Sequence, residues 1–267
     1  MLSKKQTSLI RSLQHKKYRV LNQLFIIEGN KIISDLLKQK LLSEENLRLL
    51  IATGNWLDEH SILTNGLESY INRTEQEEIN KLSSLVTPAE VMAVVSFKIP
   101  EFEPSFIKEN LFLAFEAVRD PGNLGTIIRT ADWFGIDHIF CSSDSVDVWN
   151  SKVVQASMGA VMRVNVHYME LEELFEMASR YKVPVYGTTM DGEDFYETPV
   201  KIPGIILFGN EASGLSTSYY DQLKEKLRIP DFPAGSSGTE SLNLAISTAI
   251  VCSELRRRDR AFKAYSK

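Results

Sequence analysis

From residue 111 onward the chain alternates apolar, strand-like runs with helical patterns, and this alternation constrains the fold more than any other feature. LFLAFEAV (111–118), HIFCSS (138–143), RVNVHYM (163–169), VPVYGTT (183–189), IILFGNE (205–211) and KLRIP (226–230) read as strands. Helical patterns fall between several of them, and a long helix starts near Leu242. Strands alternating with helices form a mostly parallel sheet, with ligands at the carboxyl ends of its strands. The expected fold class is therefore α/β.

Ahead of this region, KIPEFEPSFIKE (98–109) holds Pro100 and Pro104 among alternating charges and reads as a linker. The pattern before the linker is mixed. FIIEG (25–29), LRLLIA (47–52) and EVMAVVSF (90–97) read as strands. NKIISDLLKQK (30–40) carries Ile32, Ile33, Leu36 and Leu37 as a helical stripe. EQEEINKLSSL (75–85) reads as a helix with an acidic first turn, which its dipole favours. The expected organisation is a small α/β domain over 1–97, a linker over 98–109 and a larger α/β domain over 110–267.

Composition excludes several classes. With 43% apolar and 24% charged residues, disorder is excluded for most of the 267 residues. Cys141 and Cys252 rule out a disulfide framework, and neither lies in a Cys/His cluster, so no metal is expected. MLSKKQTSLI lacks the apolar core of a secretory signal. No run approaches the roughly 18 apolar residues of a membrane helix. The expected compartment is the cytoplasm, without a membrane partner. Net charge is −5, unevenly spread: residues 1–40 hold nine basic and two acidic residues, the remainder 21 and 33. The last fourteen residues turn basic again, with Arg256, Arg257, Arg258, Arg260, Lys263 and Lys267. Basic ends on an acidic body suit either two footprints for a polyanion or ordinary solvated helix faces.

Three segments carry the chemistry. In EAVRDPGNLGTIIRTADWFG (116–135) a strand ends at Val118, a turn follows, and a helix begins with Asn123 as its expected cap. Leu124, Ile127, Ile128 and Ala131 fit the core-facing template, with Gly125, Arg129 and Asp132 on the other face. Arg129 thus lies one turn into a helix whose N-terminus welcomes anions; a plain strand–turn–helix with a solvated arginine fits equally. ILFGNEASGLS (206–216) sets Gly209 and Gly214 around a polar pair, which permits close backbone approach to a ligand, or simply a turn. RIPDFPAGSSGTESLNLAISTAIVCSELRRR (228–258) leads from a short strand through a loop to a helix opened by Ser241-Leu242-Asn243, with Leu242, Ala245, Ala249 and Cys252 as its apolar stripe.

Taken together, the order and spacing of these segments resemble the three motifs of SpoU-type (TrmH-like) RNA 2′-O-ribose methyltransferases, of the SPOUT superfamily. The first matches from Asn123 to Ala131, the second from Gly209 to Ser216, the third through Ile229-Pro230 and Ser241-Leu242-Asn243. More weakly, FIIEG with its helix and TPAEVMAVVSF (87–97) look like the accessory RNA-binding domain of many members, which resembles a ribosomal-protein fold. One departure is the loop DFPAGSSGTE (231–240), usually shorter in the family.

The resemblance implies a deep trefoil knot in the C-terminal domain, and the small residues Gly235, Ser236, Ser237 and Gly238 suit tight backbone passage. It implies S-adenosylmethionine as methyl donor, held by Thr188, Gly209, Asn210, Ile229 and Leu242. It places Asn123, Arg129, Glu211, Ser241 and Asn243 around the target ribose, with Glu211 as the expected carboxylate partner of Arg129. It implies a homodimer. Ribosomal RNA, 23S in particular, is favoured over transfer RNA because the extra N-terminal domain resembles that of large-subunit enzymes. The family assigns Arg129 to deprotonating the 2′-hydroxyl; since arginine stays protonated, binding the adjacent phosphate is the alternative role. His15, His60, His138 and His167 all lie outside the motifs. The alternatives are a tRNA 2′-O-methyltransferase, a catalytically silent RNA-binding protein on the same fold, and a nucleotide-binding metabolic enzyme.

Overall fold

The computed structural model describes residues 2–233 and 241–265. In chain order the first elements are α1 (Lys4–Ser12), α2 (Lys16–Asn22), β1 (Leu24–Glu28), α3 (Asn30–Lys38), β2 (Leu47–Thr53), α4 (Gly54–Glu59), α5 (Ser61–Thr64), β3 (Ile71–Thr74), α6 (Gln76–Asn80) and β4 (Val91–Ser96). There follow β5 (Leu111–Phe115), α7 (Pro121–Trp133), β6 (His138–Ser142), α8 (Ser151–Ser157), β7 (Asn165–Met169), α9 (Leu171–Tyr181), β8 (Val185–Asp194), β9 (Gly204–Phe208), β10 (Glu225–Arg228) and α10 (Leu244–Tyr265). The chain packs as two units. One comprises residues up to Ile99 together with Asp147–Met162; the other comprises Pro100–Val146 and the chain from Arg163 onward.

The first unit is built on a four-stranded sheet in the order β1-β4-β2-β3. β4 runs antiparallel to both neighbours, and β2 and β3 are parallel. Ser3 and Gln6 form a capping box at the start of α1. The α3 stripe of Ile32, Ile33, Leu36 and Leu37 is buried. The helix expected over 75–85 stops at Asn80. Its remainder is drawn away by the buried carboxylate of Glu28, which accepts hydrogen bonds from the Ser83 and Ser84 hydroxyls and from Ser84 N–H. β3 has no counterpart in the sequence reading; only its last residue is buried, so no apolar alternation marks it. Segment 147–162 joins this unit firmly: Trp149 lies against Phe25 and stacks on Phe97, with ring centroids 4.4 and 4.7 Å apart.

The second unit carries a six-stranded sheet in the order β10-β8-β9-β5-β6-β7, every neighbouring pair parallel. Phe112, Ala114, Phe140, Leu174, Val185, Ile205 and Leu207 form a core with α9. The chain runs from β5 to β6 and β7 on one side, then returns to build β8, β9 and β10 on the other. Loops after β5, β8 and β9 therefore converge at the carboxyl ends, where open α/β sheets bind ligands. Several strands differ in length from expectation: β5 ends at Phe115, β9 at Phe208 and β10 at Arg228, whereas β8 continues to Asp194. On β8 the pairing with β10 jumps from Gly187 to Glu193, an irregularity opposite Lys226 and Leu227. Gly235, Ser236, Ser237 and Gly238, the small residues expected to suit a knot, lie outside the described residues.

Candidate functional site

Asp120, not Asn123, caps α7: its Oδ1 accepts from Asn123 N–H at 2.8 Å, with Pro121 filling the first helical position. The correction matters for chemistry. Relieved of capping, the Asn123 side chain donates to Glu211 Oε1 at 3.1 Å and accepts from Asn243 Nδ2 at 2.9 Å. Leu124, Ile127, Ile128 and Ala131 face the core, joined by Gly125, which the sequence reading set on the outer face. Asp132 is held by Arg163 at 2.7 Å.

Glu211 is fixed by four donors: the backbone N–H groups of Arg119 and Asp120, both at 3.4 Å, and the side-chain amides of Asn123 and Asn210. It does not pair with Arg129. That side chain is exposed and makes no hydrogen bond or ion pair among the described residues. The expected Glu211–Arg129 partnership is therefore absent, because the carboxylate is already spent on the α7 N-terminus and two amides.

Asn210 is a second hub. Its Oδ1 accepts from Ala212 and Ser213 N–H, and its Nδ2 donates to the Ala117 carbonyl at 2.6 Å. Ala117 sits in the left-handed region at φ 50°, and its N–H donates to Ser142 Oγ at 2.7 Å. Both backbone groups of a strained residue are thus clamped. Gly209 lies against the Asn210–Gly214 bridge, where a Cβ would run into the backbone of Gly214 and Leu215. The glycine serves close approach to its own chain.

Asn243 caps α10, its Oδ1 accepting from Ala245 and Ile246 N–H at 3.0 and 3.3 Å. The buried stripe starts at Leu244 and runs through Ala245, Thr248, Val251, Cys252 and Leu255. Leu242, expected in that stripe, is 47% exposed.

A cavity of about 820 Å³ opens at these strand ends. Thr188, Gly209, Asn210, Ile229 and Leu242 all line it, as do Glu211 and Ser241; Asn123, Arg129 and Asn243 do not. Apolar walls come from Met190, Leu215, Leu227 and Leu244, while Asp191 and Asp231 add carboxylates. Asp191 pairs with Lys226, whose ammonium lies 4.8 Å over the Tyr220 ring; Asp231 pairs with Arg228. Burial raises the Glu116 carboxyl above its usual range, opposed by the hydrogen bond from Ser216 N–H. The sequence reading missed Ala117, Asp120 and Asp191. Asp120 and Asp191 had signals: a cap residue before proline, and an Asp-Gly turn after a strand.

Among the described residues no helix is long and apolar enough to cross a membrane, and no group of three or more His, Cys, Asp or Glu could hold a metal.

Comparison with known proteins accords with this geometry. The SpoU rRNA Methylase family matches residues 110–253, and an MRM3-like substrate binding domain matches residues 5–93. The chain is 28% identical to the 23S rRNA (guanosine(2553)-2′-O)-methyltransferase RlmP of Bacillus subtilis, over 92% of this chain and 94% of that one. Among solved structures, a TrmH-family protein from Porphyromonas gingivalis is 37% identical, with a TM-score of 0.82 over 97% of this chain and 99% of that one. An AdoMet-bound rRNA methyltransferase from Sinorhizobium meliloti is 28% identical, with a TM-score of 0.81 over 97% and 96%. The family match takes in more than half of the sequence, and the chain belongs to the SpoU rRNA methylase family.

Proposed function

We propose that the chain transfers a methyl group from S-adenosylmethionine to a ribose 2′-hydroxyl of 23S ribosomal RNA, in the cytoplasm where ribosomes are built. The observation that carries this reading is the hydrogen-bonded series Asn210–Glu211–Asn123–Asn243, which leads from the cavity wall to the start of α10, with an unpartnered Arg129 on the same helix as Asn123. S-adenosylmethionine supplies a methyl group already activated on a sulfonium, so no metal is required. The cavity suits it: Met190, Leu215, Leu227 and Leu244 offer apolar walls to an adenine, and the Glu211 carboxylate, whose four donors are all neutral, would offset the positive charge of the sulfonium. Thr188, Gly209, Asn210, Ile229 and Leu242 hold the cofactor. Glu211 and Asn243 fix Asn123, and with Ser241 they set the approach of the ribose, which is catalysis by positioning. Arg129 stays protonated and binds the phosphate beside the target ribose, favouring negative charge on the 2′-oxygen as that oxygen takes the methyl group, S-adenosylhomocysteine leaves and the hydroxyl proton passes to solvent water.

In this reading residues 1–97 bind RNA and 110–267 carry the transfer, with 98–109 linking them. The protein acts as a homodimer. The surface between α7 and α10 is where a second copy fits: Thr126, Thr130 and Phe134 meet Ala245, Ile246 and Ala249 around a groove of about 580 Å³. Ile246 is 54% exposed there. The decisive experiment incubates the protein with radiolabelled S-adenosylmethionine and unmodified 23S, 16S or transfer RNA. Label in 23S RNA at an alkali-resistant dinucleotide is expected. Label in transfer RNA alone, or in none, would overturn the assignment.

A further inference from the structure

The helix α2 presents almost all of itself to solvent. Of its seven residues only Arg19 is buried. Tyr18, Val20 and Leu21 are 40, 52 and 71% exposed, an unusual apolar load for so short a helix. The Tyr18 hydroxyl has no hydrogen-bond partner among the described residues, and its ring sits edge-on to His15, with centroids 6.4 Å apart. In the surrounding sequence the charge has one sign. The first 27 residues hold six basic residues and no acidic one. Arg19 is turned inward, its guanidinium occupied by the Leu13 and Gln14 carbonyls and by Asp147. Lys4, Lys5, Arg11, Lys16 and Lys17 are exposed.

We propose that α2 is a stacking site for an unpaired RNA nucleotide, with Tyr18 taking the base and Lys16 and Lys17 neutralising the flanking phosphates. The proposal rests on the reading of the chain as an RNA methyltransferase and narrows its substrate to RNA with single-stranded nucleotides at this face. Duplex RNA hides its bases in the stack and offers the ring only sugar and phosphate, whereas loops and bulges can splay a base onto an aromatic side chain. An exposed tyrosine with aliphatic neighbours gains nothing from a duplex. Protein interfaces are depleted in lysine, and a stretch with five exposed cations and no acid among its own residues complements a polyanion better.

The test uses the full-length protein, fluorescence anisotropy, and two labelled probes: a twelve-nucleotide oligouridine and a twelve-base-pair RNA duplex. Tyr18→Ala is expected to weaken oligouridine binding by about 5- to 150-fold, the loss of one base–aromatic stack. Tyr18→Phe should restore it to within twofold, and duplex binding should not change. Lys16→Gln/Lys17→Gln should lower the salt slope on oligouridine by about 1.4, two phosphates' worth. Equal loss on both probes, or no loss on oligouridine, would overturn the proposal. So would unchanged RNA binding with lost self-association in sedimentation, which assigns the face to a protein. Calorimetric titration with S-adenosylmethionine, run on the same preparations, separates the two readings. If the cofactor fails to bind, the methyltransferase assignment falls, while the Tyr18 dependence is judged on the RNA probes.

Discussion

Asn243 donates its side-chain amide to Asn123 Oδ1 at 2.9 Å, joining the starts of α10 and α7 across 120 residues of chain. The same Asn243 caps α10 through its carbonyl oxygen. Two substitutions divide these roles. Asn243→Asp keeps the capping oxygen but sets a carboxylate against the Asn123 oxygen and near Glu211. Its melting temperature should stay close to wild type while methyl transfer falls at least tenfold. Asn243→Ala loses both, and its stability should drop by about 1 kcal/mol, the usual cost of a lost cap. Wild-type activity in Asn243→Asp, with loss only in Asn243→Ala, would show that only the cap matters.

Arg129 stands apart from this network. It is exposed, and no other described residue pays for its position. Arg129→Ala should therefore unfold at the wild-type denaturant midpoint, as surface substitutions generally do within about 0.5 kcal/mol. Methyl transfer should be abolished while S-adenosylmethionine binding persists. Turnover within a few-fold of wild type would remove Arg129 from the reaction.

Asn210 and Ala117 form the most strained joint of the site. Asn210→Ala strips the donor from the Ala117 carbonyl and the acceptor from two backbone N–H groups. The expected cost is about 1–3 kcal/mol for groups left unsatisfied, together with weaker cofactor binding measured by calorimetry. Ala117→Gly should raise stability slightly, because glycine takes φ 50° without strain. A destabilised Ala117→Gly variant would show that the methyl group packs usefully and that the strain account is wrong.

The legible part of this architecture was the part written in periodicity. Leu124, Ile127, Ile128 and Ala131 recur at helical spacing, and their burial follows. The cap was misread because Asp120 and Asn123 are both good capping residues three positions apart, and only packing of the loop after β5 decides between them. β3 escaped because an edge strand with one buried residue has no alternation to show. The helix over 75–85 was cut short by a tertiary demand, the Glu28 carboxylate, invisible to local pattern. The placement of 147–162 in the first unit had no local signal at all: Asp147 and Trp149 find partners more than a hundred residues earlier or about fifty. Of the site, the motif residues were legible by resemblance, and what was not legible is which of them touch.

His138 Nδ1 and His167 Nε2 lie 2.9 Å apart with their rings stacked. Burial first, and then the neighbouring His138, hold His167 down to about 4, although a hydrogen bond with Pro100 opposes this. Burial likewise holds His138 below its ordinary value, against the pull of Asp137. A depressed folded-state value means that the neutral pair contributes fully above the unfolded value of 6.5 and loses that contribution as pH falls. The melting temperature should decline between pH 6.5 and about 5, above the range where most carboxylates titrate. His167→Phe, set among Phe102 and Phe140, should flatten that decline. An unchanged slope in the variant would place the pH dependence elsewhere.

Arg19 and Asp147 make a buried ion pair at 2.7 Å, their side chains 5% and 10% exposed. A buried pair broken on one side leaves an uncompensated charge. Asp147→Ala should therefore cost about 3–5 kcal/mol in urea unfolding, whereas the double variant Arg19→Met/Asp147→Leu should recover much of that loss. Arg19 sits in the middle of the basic N-terminal stretch, so a reading by charge alone makes it an RNA ligand. The structure turns it inward, and the double variant should bind RNA with the wild-type salt slope. Lys17→Gln, one helix position from Tyr18, should lower the slope by about 0.7, one phosphate on a single strand. If the double variant loses slope as Lys17→Gln does, Arg19 reaches the RNA after all, and the division between anchoring and RNA-facing cations in α2 fails.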